Sequence, residues 1–467
     1  MKETACGRRA FLKGTAFAGA ALAFPTIIPA RVLGADSPSH QIHLAQIGCG
    51  RIARDMDVAG FLKVKGARYV AVCDLDSKRL TAMRDRIEKA YAGNGAAGKI
   101  DTAGDFHALL ERKDIDAISI STPDHWHAQI AVEAAFAGKD VYMQKPTSLT
   151  IREGRIFSDA LRENNRIFLL GSQQRSWDHF ITGCEFVREG RIGKVKHIEI
   201  GLPGDPPGGS LKEMPVPENL NYDFWLGSTP KVFYTEDRVH SQRDVGSRPG
   251  WLRCEQFGAG MITGWGSHHL DIAHWGMDWE SIGPKYIEGK ATFLTGGLWD
   301  VHGEYDITLT YPDGVTMRVW DKFPNGIRFI GEKGWIFVSR GAAKMTASDP
   351  VAPGRPLKAL DASDPKLIEG KPAVTLYRHP GSHHQHFIDC IKSRTPSVVP
   401  AETAHRSCSA CLLAWIGMKL GRILEWDWKA ERFVNDAEAD ALLARPERAP
   451  YGAQRAYDRL KKGVAAK

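Results

Sequence analysis

A short apolar run, Ile42-His43-Leu44-Ala45-Gln46-Ile47, opens directly into Gly48-Cys49-Gly50-Arg51-Ile52-Ala53. This junction restricts the fold more than any other part of the chain. Two glycines at that spacing permit a tight turn and let backbone N–H groups at a helix start approach an anion closely. Asp74 follows Gly50 by 24 residues, at the end of the strand-like run Val70-Ala71-Val72-Cys73. Strand, glycine turn, helix and a second strand ending in an acid form the first unit of a doubly wound, dinucleotide-binding sheet. In that setting Gly48, Gly50, Arg51 and Ile52 lie at the pyrophosphate, and Asp74 accepts hydrogen bonds from the adenine ribose. A carboxylate there repels a 2′-phosphate, which favours NAD over NADP, although Lys78 and Arg79 moderate the preference.

The rhythm continues to about residue 170. Ala117–Ser121 and Val141–Met143 read as further buried parallel strands, with helices at Ser77–Tyr91, His127–Phe136 and Ile151–Asn164. Beyond Ile167 the strands lengthen and alternate: Lys194–Gly201, Tyr286–Phe293, Tyr305–Tyr311, Thr316–Lys322 and Gly334–Ser339. Helical patterns interrupt them at Trp177–Glu189, His268–Met277, His384–Ser393 and His405–Leu420. The expected fold class is α/β followed by α+β. A Rossmann doubly wound parallel sheet over 36–168 precedes a domain over 169–430 built on a large, mostly antiparallel open sheet with helices on one face. Residues 431–467 read as a carboxy-terminal extension with a polar tail. Two Pro- and Gly-rich segments, Pro203–Phe257 and Ala342–Lys371, are long enough to be functional or mobile.

Residues 1–35 carry Gly7-Arg8-Arg9-Ala10-Phe11-Leu12-Lys13 and then a soft apolar run, Thr15 to Ile28. This is the pattern of a twin-arginine export signal. The run is too short and too rich in Ala and Gly to span a bilayer, so no stable membrane span is expected. The twin-arginine machinery moves folded proteins, so a periplasmic enzyme could load its nucleotide before export and hold it tightly. The net charge of +7 falls to about +3 once the five cations and one anion of that segment are removed, and no basic run suggests nucleic acid. Cys49 and Cys73 read as small buried residues. Cys408 and Cys411 lack a second ligand pair, and His379, His383, His384 and His386 lack nearby acids, so no metal site is expected.

Two further motifs narrow the reading. Thr122-Pro123-Asp124-His125-Trp126-His127 and Gln144-Lys145-Pro146 each follow a strand, and Gly258-Ala-Gly-Met-Ile-Thr-Gly-Trp-Gly-Ser-His268-His269-Leu-Asp271 lies in the second half. From about Ile42 to Trp428 the chain resembles the glucose-fructose oxidoreductase / inositol dehydrogenase / MocA family, in particular its exported bacterial members. The resemblance implies that Thr122, Pro123, His125, His127, Gln144 and Lys145 face the cofactor. It also implies that Lys145 and His268 are catalytic, at the reacting hydroxyl. The family pattern has Glu where this chain has Gln144, and Asp where it has Gly264. The lysine and histidine remain while both supporting carboxylates are absent.

From residue types alone, oxidising a secondary alcohol needs a base within reach of the hydroxyl proton, and histidine suits that task. Gln174, Arg175, Trp177, Trp251, His269 and Asp271 are the candidate substrate contacts. Of Trp126, Trp177, Trp251 and Trp265, two are expected to line the site, because indole faces stack on sugars. Arg238, His240, Arg248 and Arg253 are further candidates. The expected activity is a periplasmic oxidoreductase passing a hydride between tightly bound nicotinamide and a sugar, sugar derivative or cyclitol. Two alternatives stand beside it: an NAD-dependent glycoside hydrolase working through a transient keto-sugar, and a non-catalytic sugar-binding relative. The sheet of the second domain suggests a homo-oligomer.

Overall fold

The computed structural model describes residues 41–95, 98–341 and 358–465; the arginine-pair segment and its apolar run lie outside the described residues. Six parallel strands form the first sheet: β1 (Ile42–Ile47), β2 (Ala67–Cys73), β3 (Asp101–Ala103), β4 (Ala117–Ile120), β5 (Asp140–Met143) and β6 (Phe168–Leu170), in the order β3-β2-β1-β4-β5-β6. β4, β5 and β6 are buried at every residue, as expected of parallel strands covered on both faces. The principal helices of this half are α1 (Ser77–Gly93), α2 (Asp124–Phe136) and α3 (Ile151–Glu163). α3 opens on a reciprocal cap in which Thr150 and Glu153 each accept the other's backbone N–H. α2 begins three residues before the apolar pattern at His127. Pro123 ends the preceding extended stretch, and the Asp124 carboxylate sits in the first turn, where the helix dipole favours it. Strand order reverses between β1 and β4, which leaves a crevice at the carboxyl ends of those strands.

The second sheet has nine strands: β7 (Val195–Gly201), β8 (Tyr286–Phe293), β9 (His302–Thr310), β10 (Thr316–Trp320), β11 (Gly326–Gly331), β12 (Gly334–Val338), β13 (Leu360–Ala362), β14 (Leu424–Asp427) and β15 (Arg432–Phe433). Their order is β13-β12-β11-β7-β10-β9-β8-β14-β15, and only β7 and β10 pair in parallel. The remaining main helices are α4 (Asp178–Arg188), α5 (Tyr222–Leu226), α6 (Gly266–Met277), α7 (His383–Ser393), α8 (Ala401–Leu420) and α9 (Ala453–Ala465). α4, α6 and α8 cover one face of the sheet. The other face carries the half-exposed pairs Arg318–Asp306 and Arg328–Glu199. β11 is not announced by the alternating pattern, because glycines bound a run of only four residues. The carboxy-terminal tail is amphipathic rather than simply polar. α9 packs on α2 and α3, burying Ala453 and Ala456 and setting Tyr457 edge-on to Phe136.

Arg175 and Asp271, expected at the substrate, instead form a buried ion pair between the segment after β6 and α6. Both side chains are completely buried, and Arg175 Nη2 donates to Asp271 Oδ1 at 2.7 Å and Nε to Oδ2 at 2.8 Å. Ser172 Oγ, just after β6, donates to Oδ2 at 3.0 Å, and Ser407 Oγ of α8 donates to Oδ1 at 2.8 Å. Arg175 also reaches Glu280 at 2.6 Å. A carboxylate with every lone pair engaged and no exposed surface has nothing left for a ligand. Burial alone would raise the Asp271 pKa, but the Arg175 charge and these hydrogen bonds hold it below the ordinary aspartate value.

A folded-state pKa below the unfolded one contributes stability that is present above the unfolded value and lost as pH falls through the folded value. Asp271→Asn is therefore expected to cost about 3–5 kcal/mol at neutral pH, the usual effect of unpairing a buried ion pair. In urea titrations the gap between wild type and variant should close below about pH 3.9, the unfolded aspartate value. A gap independent of pH would show that the carboxylate charge does not hold this pair together.

Candidate active site

The crevice at the ends of β1, β2, β4 and β5 opens into a cavity lined by Gly48, Gly50, Arg51, Ile52, Asp74, Thr122, Pro123, Gln144 and Lys145, among others. Gly48 has φ +85°, and a Cβ there would stand 2.6 Å from the Ser121 carbonyl oxygen. Only glycine fits that turn. A Cβ at Gly50 would meet nothing within 4 Å, so the backbone there faces open space. Such a cradle suits the pyrophosphate of a dinucleotide. Asp74 lines the same cavity, half-buried, with Oδ2 accepting the Cys49 N–H at 2.7 Å and Oδ1 the Asp76 N–H at 2.8 Å. Burial raises its pKa. Each oxygen keeps a lone pair for a ribose hydroxyl, while Arg79 stands on the same wall.

One side of the cavity is built by the segment between β7 and α6. Phe224, Trp225, His240, Ser247, Arg248, Pro249, Trp251 and Leu252 all line it, so the long Pro- and Gly-rich stretch forms a strap over the crevice. Asp76 holds the strap down. Its carboxylate accepts from Asn219 Nδ2 at 2.8 Å, His240 Nε2 at 2.9 Å and Gln242 Nε2 at 3.1 Å while also capping α1. Burial opposes the charge of Asp76, but these donors, His240 first, hold its pKa below the ordinary range. His125 Nε2 and Trp126 Nε1 both donate to the Trp225 carbonyl, at 2.8 and 3.0 Å. From the tail, Tyr451 stacks on Phe224 and Arg448 Nε donates to the Gly227 and Thr229 carbonyls.

At the opposite end Lys145 Nζ donates to the Gly264 carbonyl at 3.0 Å. His268, expected at the reacting hydroxyl, is buried and lies outside the cavity wall. Burial, then the Arg340 and Lys145 charges, push its pKa well below the ordinary histidine value, so its ring is neutral at physiological pH. His127 ties the two loops together, with Nδ1 2.6 Å from the Pro146 carbonyl and Nε2 2.9 Å from that of Thr122. Burial lowers its pKa to about 4. A neutral imidazole donates to one of these carbonyls at a time. Gln144 Nε2 donates at 2.7 Å to Asp57 Oδ1, and Ser121 Oγ donates at 2.7 Å to Asp57 Oδ2. Asp57 is fully buried. A glutamate at 144 would set a second carboxylate against it, so the amide is the residue this environment accepts.

Asp124 also lines the cavity, only 4 % exposed. Burial raises its carboxyl pKa to about 8, and the Lys145 charge opposes that shift. Asp124 lies within the Thr122–His127 motif, but no role for it follows from residue type or spacing alone. The signal available was its place in the first turn of a helix at a strand end.

The other expected residues fall in several places. Trp251 and Trp126 line the cavity. His125 is behind the wall, where burial lowers its pKa to about 3. Gln174 is fully buried, its amide bridging the His268 carbonyl at 3.1 Å and Arg340 Nε at 3.0 Å. The Arg340 guanidinium stands 4.6 Å from the Trp265 ring centre and 5.6 Å from that of Trp177. His269 is buried against Trp265, with Nε2 donating to Asn325 Oδ1 at 2.6 Å. Neither His269 nor Asp271 reaches the cavity. His240 and Arg248 reach it; Arg238 and Arg253 do not. Among the histidines of and before α7, His383 Nε2 donates to the Leu170 carbonyl and His384 packs on Phe61. The seven cysteines from Cys49 onward are buried and free.

The chain belongs to the Gfo/Idh/MocA oxidoreductase family. Residues 42–172 match its NAD-binding Rossmann model, and 208–340 with 353–453 match its carboxy-terminal alpha/beta domain. It is similar to the uncharacterized oxidoreductase YrbE of Bacillus subtilis, 24 % identical over 313 residues, which cover 66 % of this chain and 75 % of that one. A glycosyl hydrolase family 109 protein of Shewanella baltica is 29 % identical over 216 residues, 41 % of this chain and 45 % of that protein. The WlbA dehydrogenase from Bordetella pertussis, solved with NADH and UDP-GlcNAcA, matches with a TM-score of 0.56 at 17 % identity, over 83 % of this chain and 99 % of that one. Among the described residues no helix is long and apolar enough to cross a membrane.

Gln144→Glu, the family residue, is expected to retain a proton in the folded state because of Asp57. A carboxyl whose folded pKa is raised loses stability as pH rises from its unfolded value, about 4.3, to the raised folded one. The slope is at most about 1.4 kcal/mol per pH unit. Urea midpoints of the variant should thus fall relative to wild type between pH 5 and 8. Parallel midpoints would show that Asp57 does not oppose a charge at 144.

Proposed function

We propose that the protein is an exported oxidoreductase that uses tightly held NAD to oxidise or reduce a secondary hydroxyl of a sugar, sugar derivative or cyclitol. The observation that carries this reading is a single cavity with a pyrophosphate cradle at Gly48–Gly50, a ribose acceptor at Asp74 and Lys145 at the far end. The Bordetella pertussis dehydrogenase solved with NADH and a sugar nucleotide supports it. Bound NAD would supply the hydride acceptor or donor. The chain does the rest. Lys145, held by the Gly264 carbonyl, directs an ammonium at the reacting oxygen and steadies negative charge there. His268, buried outside the cavity wall and held neutral, adds no charge there. Trp251 offers an apolar face for a sugar ring. The strap excludes water and must open for nucleotide to leave, which favours retention. The segment Gly7–Lys13 supports export of the folded, loaded protein to the periplasm by the twin-arginine machinery, and Asp74 supports NAD over NADP. The half-exposed face of the second sheet supports a homo-oligomer.

A second reading is hydrolysis of a glycoside through transient oxidation, elimination and hydration. The Shewanella baltica relative favours it, as does the departure at Gly264, where the family's Asp is absent beside Lys145.

Protein purified with its signal should release NAD on denaturation. Without added cofactor it should convert a free sugar to its keto form, whereas net cleavage of an aryl glycoside would select the hydrolase and binding alone a non-catalytic relative. Lys145→Ala should lower turnover about 10²–10⁴-fold, the scale of a lost proton-handling group, with nucleotide still bound. Near-normal turnover in that variant would sink the reading.

A further inference from the structure

The family's two carboxylates beside the lysine are missing, yet the cavity is not without one. Asp124 is carried into it by the first turn of α2, on the wall that also holds Thr122, Pro123 and Lys145. Its Oδ2 lies 3.5 Å from the position a Cβ at Gly258 would take, so the loop at Gly258 packs close to the carboxyl. We propose that Asp124 is a catalytic carboxyl of this site, taking the hydroxyl proton while Lys145 steadies the oxygen. The inference rests on the oxidoreductase reading above.

The charges make the step balance. In oxidation the substrate C–H bond breaks with its electron pair moving to the oxidised nicotinamide ring. The O–H bond breaks with its proton moving to the Asp124 carboxylate, and a carbonyl forms. The Asp124 carboxylate would lose its negative charge as bound oxidised nicotinamide lost its positive one, so the net charge of the site would be the same before and after. Without a positive ring, burial keeps the Asp124 carboxyl protonated up to about pH 8. A positive ring nearby favours the ionised form. The proton on Asp124 thus follows the redox state of the ring.

Other charged groups face this space. His125 and His127 lie on its own helix, held neutral by burial with pKa values of about 3 and 4. Lys145 comes from the loop after β5, and Arg248 from the strap; Arg51, Asp74, Arg79 and His240 line the remainder of the cavity. The loop at Gly258 presents backbone only at the point of approach. None of these differs between a measurement with oxidised and one with reduced nucleotide except through the ring itself.

The test needs no substrate. Bound NAD+ is exchanged for excess NADH in weakly buffered solution at pH 7, and proton uptake is read with an indicator dye. Wild type should take up close to one proton per chain, and D124N almost none while still binding both nucleotides. On the sugar substrate D124N should also lose about 10²–10⁴ in turnover with little change in KM. Equal proton counts for wild type and D124N, or wild-type turnover within a few-fold, overturns the assignment. The wild-type exchange decides the matter if D124N does not fold, because absence of uptake alone contradicts the proposal. Wild type that binds neither nucleotide overturns the oxidoreductase reading itself, whereas binding of both without uptake overturns only the role of Asp124.

Discussion

The Arg175–Asp271 ion pair is the contact on which the site's geometry depends. Arg175 follows the last strand of the Rossmann sheet, Asp271 lies on α6, and Ser407 brings in α8. The pair ties the segment after β6 to α6 and α8, and all three groups are withdrawn from water. A buried pair this fully hydrogen-bonded gives little net stability over apolar packing, but it penalises any arrangement that separates its members. His268 lies one turn before Asp271 on the same helix, so clamping Asp271 also sets where that imidazole stands relative to Lys145. Position, rather than energy, is what the pair supplies.

The opposite wall of the cavity is held by a comparable device. Asp76 caps α1 and gathers Asn219, His240 and Gln242, so a helix terminus of the nucleotide domain anchors the strap from the second half. The carboxy-terminal tail adds Arg448 and Tyr451 behind α5. The strap is therefore tied at both ends to groups beside the crevice. Opening it would leave Asp76 without its donors.

Much of this was legible in the sequence where the signal is local. The turn at Gly48–Gly50, the acid after β2 and the buried runs of β4 and β5 follow from chain geometry over a few residues, and the mostly antiparallel second sheet follows from alternation. What was not legible depends on partners distant in sequence. Nothing within ten residues of Asp271 reveals that Arg175 and Ser407 enclose it, so a polar residue beside His268 read as a ligand contact. Asp57 was silent for the same reason, because its role depends on Ser121 and Gln144. β11 escaped because its glycine boundaries conceal the alternation. The tail read as polar because its apolar stripe, spaced at the helical period, is diluted by charges on the outer face.

The two departures from the family pattern have different physical standing. At Gln144 the amide is required by a neighbour: Asp57 is buried and accepts its N–H, so a carboxylate there would face a like charge at hydrogen-bond distance. At Gly264 no such obstacle exists. A Cβ there would meet only Met261, at 3.6 Å or beyond, in ordinary contact. The space a side chain would take is left open beside the Lys145 ammonium, which spends one N–H on the Gly264 carbonyl. Proton handling that the family distributes over 144 and 264 has no carboxylate at either place here. Asp124 is, apart from Asp74, the one carboxyl of the described cavity lining. Asp74 accepts the backbone N–H groups of Cys49 and Asp76 beside the Gly48–Gly50 turn. With Asp124 in the role proposed above, the carboxyl function of this site lies at the start of α2 and not at 144 or 264, and Gly264 leaves open the space a side chain would fill.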